Sequence, residues 1–144
     1  METITQLMDR DHKILIRLLE KFLEEYNKEP IESGMILEKF KWAVEKHFSI
    51  EELAIFNTLQ NVDSESVSST FELMKEHQVI MALLSKIQNE LGDQVEKDVN
   101  ELEASLKAHA KFEDEVFYPQ LEEQLNDNQK EMIRIKMKEK VEVK

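Results

Sequence analysis

Residues 95–118 read VEKDVNELEASLKAHAKFEDEVFY. Val95, Val99, Leu102, Leu106, Val116 and Phe117 recur at helical intervals, which predicts one long amphipathic helix with charged residues on its other face. Between Leu106 and Val116 the apolar stripe is interrupted twice, by His109 and then, one turn later, by Glu113. An unpaired carboxylate on a core-facing stripe costs several kcal/mol in lost hydration. This helix therefore fixes an all-helical reading and also marks where to look for chemistry.

Working outward, Gly92 is the residue type favoured just past a helix C-terminus. Asp93 and Glu96 have capping-box spacing for the helix that follows. Pro119 is expected to bend or break that helix. Upstream, apolar stripes predict a helix from about Ile4 to Tyr26, carrying Met8, Leu15, Leu19 and Phe22, with Asn27 to Pro30 closing it. A second starts near Ser33 with Ile36, Phe40, Val44, Ala54 and Ile55. A polar, Ser-rich connection over 61–69 leads to a third, with Leu73, Met74, Ile80, Met81, Leu84 and Ile87. Asn126 and Gln129 offer a cap for a short fifth helix through Met132, Ile133 and Met137, although Ile133 to Val143 alternates almost like a strand. The expected architecture is all-α: an up-down-up-down four-helix bundle over residues 1–125, with a short C-terminal fifth helix and tail over 126–144 packed on it or extending from it.

Composition agrees. The chain has 144 residues, 41% of them hydrophobic, which is enough to close one core. Two Gly and two Pro are too few for the turns of a sheet-rich fold. The absence of Cys removes disulfides, thiolate metal sites and a thiol nucleophile. A net charge of −12 disfavours a nucleic-acid partner. With no apolar run of membrane-spanning length and no cleavable signal pattern, a cytoplasmic location and no membrane association are expected. Residues 130–144 carry a net +3 against −15 for the rest, an asymmetry that suits docking on the chain's own acidic body or on an acidic partner.

The four His are His12, His47, His77 and His109, one on the apolar stripe of each long helix. Random placement would put all four there in about 3% of cases, taking stripes as three positions in seven. His12 lies 17 residues before Glu29, and His47 lies 18 after it; His77 lies 15 before Gly92, and His109 lies 16 after Asp93. At about 1.5 Å per residue, the four imidazoles are level in one layer of the bundle. Glu51 and Glu113 each follow a His by four residues, on the same face and one turn along. Four nitrogen and two oxygen donors exceed what one zinc takes from a protein and suit two ions. Imidazole and carboxylate without thiolate favour iron or manganese. Glu52, Asp114 and Glu115 read as solvated neighbours, and Tyr118 and Tyr26 as core aromatics with their hydroxyls at the rim.

The strings Asp11-His12, HFSIEE (47–52), Glu76-His77 and HAKFEDEVFYP (109–119) resemble the hemerythrin-like, HHE cation-binding family, and the resemblance spans about residues 4–120. It implies a four-helix bundle holding a non-haem di-iron centre, with His12, His47, Glu51, His77, His109 and Glu113 as metal ligands. By that analogy His12 and His47 serve one iron and His77 and His109 the other, with the two Glu bridging. Oxygen-carrying members have a fifth His one turn before the third-helix His; here that position is Leu73. The departure opens a coordination position to water or to another carboxylate such as Glu76, and argues against reversible oxygen carriage.

The expected function is a di-iron protein that binds or senses oxygen, nitric oxide or iron itself, with a small diatomic partner and no catalytic residue assigned. A di-iron oxidase or peroxidase, or a signalling and assembly module stapled by metal, is the alternative. Ferritin-like oxidases place Glu-x-x-His at i,i+3, whereas here His precedes Glu by four.

Overall fold

The computed structural model describes residues 2–59, 64–89 and 94–142. The elements are α1 (Ile4–Tyr26), α2 (Pro30–Ile50), a π-helical turn (Glu51–Phe56), α3 (Asn57–Leu59), α4 (Ser64–Asn89), α5 (Val95–Phe112), a second π-helical turn (Glu113–Phe117), α6 (Tyr118–Gln124) and α7 (Asp127–Glu142). Each π turn joins its flanking α segments without a break, so the described residues form five helical rods and contain no strand. This is the all-helical fold class expected. No described helix is long and apolar enough to cross a membrane.

Helix starts follow local chemistry. Thr3 and Gln6 form a reciprocal capping box on α1. The next free donor, the Ile4 N–H, bonds Glu122 at 2.9 Å and ties the start of α1 to α6. Helix α2 begins at Pro30, three residues before Ser33, because proline fits the first helical turn, where its missing N–H costs nothing. Asn126 and Gln129 exchange bonds of 2.8 and 2.9 Å as the cap of α7. The alternation after Ile133 does not make a strand: the segment is helical, and Ile133 and Met137, one turn apart, are buried. Gly92, Asp93 and the start of the 61–69 connection lie outside the described residues.

Pro119 does not end its rod. It follows the second π turn, in which the Tyr118 N–H reaches back five residues to the Glu113 carbonyl. In the first π turn, Asn57 reaches Glu52 in the same way. A π turn inserts one residue into the helical count, and such turns concentrate at functional sites. Here the insertion rotates Phe117 and Tyr118 inward and leaves Val116 40% exposed, so the stripe read from Leu106 to Val116 is not continuous. The insertion at Glu51–Phe56 turns Phe56 and Leu59 inward and Leu53 outward.

The interior has two apolar clusters. One contains Leu19, Phe22, Phe40, Val44, Leu84, Leu102 and Leu106. The other contains Ile4, Met8, Ile55, Phe56, Leu73, Phe117, Leu121, Ile133 and Met137. Helix α7 contributes the last two, so the C-terminal helix covers the second cluster, and Lys136 Nζ donates to Thr58 at 3.3 Å. Among the buried residues that belong to neither cluster are the four His and two Glu of the layer.

Candidate metal centre

His12 comes from α1, His47 from α2, His77 from α4 and His109 from α5, while Glu51 and Glu113 open the two π turns. All six are at most 3% exposed. His12 and His47 pack edge to face at 4.8 Å between ring centroids, and His77 and His109 do so at 4.9 Å. The Nε2 atoms point inward at the carboxylates. Glu113 Oε1 lies 2.9 Å from His12 and 3.2 Å from His109. Glu51 Oε1 lies 2.9 Å from His77, 3.6 Å from His47 and 3.9 Å from His109. The structure thus brings together all six side chains singled out in the sequence.

Each imidazole turns its other nitrogen outward to a second carboxylate. His12 Nδ1 donates to Asp114 at 3.0 Å, His47 to Asp11 at 3.3 Å, His77 to Glu52 at 3.2 Å and His109 to Glu76 at 2.7 Å. Such outer carboxylates fix the tautomer and the ring plane, leaving Nε2 free to bind a cation. Glu52 and Asp114 are therefore not merely solvated neighbours, and Glu76 lies behind His109 rather than in the donor layer. The His77 ring is held further by Phe48, stacked at 3.8 Å and 12°. Open grooves of about 320 and 350 Å³ flank α4 and are lined by Glu76 with His109 and by Glu52 with His77. Replacing Glu76 with Ala is expected to lower the affinity of the layer for a divalent cation by about tenfold or more, read by metal titration. Unchanged affinity would show that the hydrogen bond does not orient the ring.

Electrostatics describe the layer without metal. Burial lowers the basicity of His12, but the Asp114 and Glu113 hydrogen bonds and the charges of Glu113 and Glu51 outweigh it and raise its pKa to about 10. His109, which faces the Glu113 and Glu51 carboxylates with Nε2 and is hydrogen-bonded by Glu76 through Nδ1, is raised against the same burial to about 12. Burial and the adjacent Glu51 charge push Glu113 upward. Burial also acts to raise Glu51, but Glu113, His47, His109 and His77 outweigh it and hold it well below the ordinary carboxylate value. Two protonated imidazoles occupy the charge balance that cations would otherwise supply.

The donor set fits a cation. His47 Nε2 and His109 Nε2 are buried with no hydrogen-bond partner among the described residues, which is costly for a polar atom and natural for a ligand. Two overlapping groups, His12 with His47 and His77 with His109, each include both Glu51 and Glu113, and within each group the donor atoms lie within 4.8 Å of one another. A helical bundle whose interior holds such a His/Glu layer is suited to binding cations. The chain matches the hemerythrin HHE cation binding domain over residues 3–121 and belongs to that family. Comparison with curated proteins and with solved structures returns no match.

Tyr118 departs from the sequence reading. It is fully buried, and its hydroxyl sits inside the layer rather than at a rim, donating to Glu51 Oε2 and lying 3.4 Å from Glu113 Oε2. The signal available in the sequence was its place five residues after Glu113, but the π turn that brings it inward leaves no mark in a helical periodicity.

Proposed function

We propose that the chain is a non-haem di-iron protein that binds or senses a small diatomic molecule, oxygen or nitric oxide, or iron itself. His12 and His47 would hold one ion and His77 and His109 the other, with Glu51 and Glu113 as carboxylates shared by both donor groups. The observation that carries this reading is the pair of donor groups sharing both carboxylates. Iron is favoured because the ligands are imidazole and carboxylate with no thiolate in the chain. When bound, iron supplies one-electron redox chemistry and open coordination positions.

The chain's own residues set the terms of that binding. The outer carboxylates hold each ring's Nδ1 proton and so keep Nε2 available. Leu73, fully buried in the second apolar cluster one turn before His77, supplies no donor. The His77/His109 position therefore has no third imidazole, and a small ligand can complete its coordination.

The test is the absorption spectrum of anaerobic, iron(II)-loaded protein before and after exposure to oxygen and, separately, to nitric oxide. A ligand-dependent change with at least one gas is expected. Iron bound in full with spectra unmoved by either gas would overturn the diatomic reading and leave the metal as a fold element or as the sensed species.

A further inference from the structure

The two glutamates use their oxygens in different directions. Glu51 Oε1 and Glu113 Oε1 each lie 2.9 Å from an imidazole, of His77 and His12 respectively. The opposite oxygens, both Oε2, converge on the Tyr118 hydroxyl, which donates to Glu51 and lies 3.4 Å from Glu113. Tyr118 is 0% exposed, and its ring packs edge to face on Phe117 at 5.2 Å. It reaches this place because the second π turn rotates Val116 out and brings Tyr118 in.

The terminal torsion of a glutamate is broad and roughly two-fold, so burial alone does not fix the plane of its carboxylate. A buried O–H donor on one oxygen does. That oxygen keeps a second lone pair, so it can accept from the phenol and still face a cation. Resting on the di-metal reading above, we infer that Tyr118 is a positioning residue of the centre: its phenol fixes the plane of the Glu51 carboxylate so that this residue bridges both ions. Tyr118 acts through Glu51 and is itself no ligand. An apolar ring at this position would fill the same volume and leave the bridge free to rotate.

The experiment is a manganese(II) titration of the full chain followed by electron paramagnetic resonance, with Tyr118→Phe beside wild type. Wild type is expected to take up two ions and give the signal of a spin-coupled pair. Tyr118→Phe removes the hydroxyl and keeps the ring; it is expected to bind its second ion about tenfold more weakly or worse and to give an isolated-ion signal. Leu121→Ala, which opens space in the same apolar cluster, controls for packing and should keep the coupled signal. Unchanged affinity and coupling in Tyr118→Phe would overturn the inference, as would an equal loss of coupling in Leu121→Ala. An intense visible phenolate band in iron(III)-loaded wild type, absent from Tyr118→Phe, would replace it with direct ligation. Wild type that binds less than one ion would sink the metal reading itself, and this inference with it.

Discussion

Loading the metal-free protein with iron(II) under anaerobic conditions will raise its thermal midpoint by about 15 °C. A ligand at a hundredfold excess over its dissociation constant stabilises the state it binds by about 2.7 kcal/mol, so two sites contribute about 5 kcal/mol. At this chain length, each kcal/mol moves the midpoint by roughly 3 °C. The effect is large because the layer holds four imidazoles and two carboxylates at no more than 3% exposure, including two Nε2 atoms without a hydrogen-bond partner among the described residues. Bound cations satisfy those atoms, and the unfolded chain, which does not gather them, gains little. Thermal melts with and without chelator measure the shift. A change below about 2 °C would mean that the layer is a self-sufficient polar network.

The second large effect is an opposition in pH dependence between the metal-free fold and its metal affinity. His12 and His109 titrate near 10 and 12 in the metal-free fold, against an ordinary value of 6.5. Their pKa values are raised, so the stability they contribute is full below about pH 6.5 and is lost as the pH rises through those folded values. The metal-free midpoint should therefore fall steadily from pH 6.5 to 9. Glu51 is depressed, so its contribution is present above the ordinary carboxylate range and is lost as acid titrates it. Metal binding must expel the imidazole protons, one in each donor group. Affinity at each site should then rise about tenfold per pH unit, and about a hundredfold for filling both. Proton release measured during metal titration at pH 7 checks the same point. Loading without release, or with affinity flat in pH, would show that the imidazoles are already neutral.

The helices and the donor layer were legible in the sequence because both depend on the 3.6-residue period. A His or Glu on an apolar stripe is conspicuous, and equal spacing from short turns places such residues at one height. The outer carboxylates were not legible. Asp11, Glu52, Glu76 and Asp114 are 20–46% exposed, and each serves a His on a different helix, a relation that exists only after folding. Their common trace is position: each stands directly beside a donor, as Asp11-His12, Glu51-Glu52, Glu76-His77 and Glu113-Asp114. An acid next to a core-facing donor on a helix lies near the edge of the buried face, where its carboxylate can reach the back of a neighbouring imidazole. The π turns were hidden for the opposite reason. A single inserted residue breaks the period on which the reading depends, which is why the period predicts Val116 inside while the structure leaves it 40% exposed.

The most direct measurement of the central claim is the iron content per chain of anaerobically purified protein, compared with that of His47→Ala and Glu51→Ala. The di-metal reading predicts about two irons in wild type, about one in His47→Ala because one subsite loses an imidazole, and loss at both positions in Glu51→Ala because a bridge serves both ions. Fewer than about one iron in wild type, or full iron with an unchanged spectrum in both variants, would contradict it.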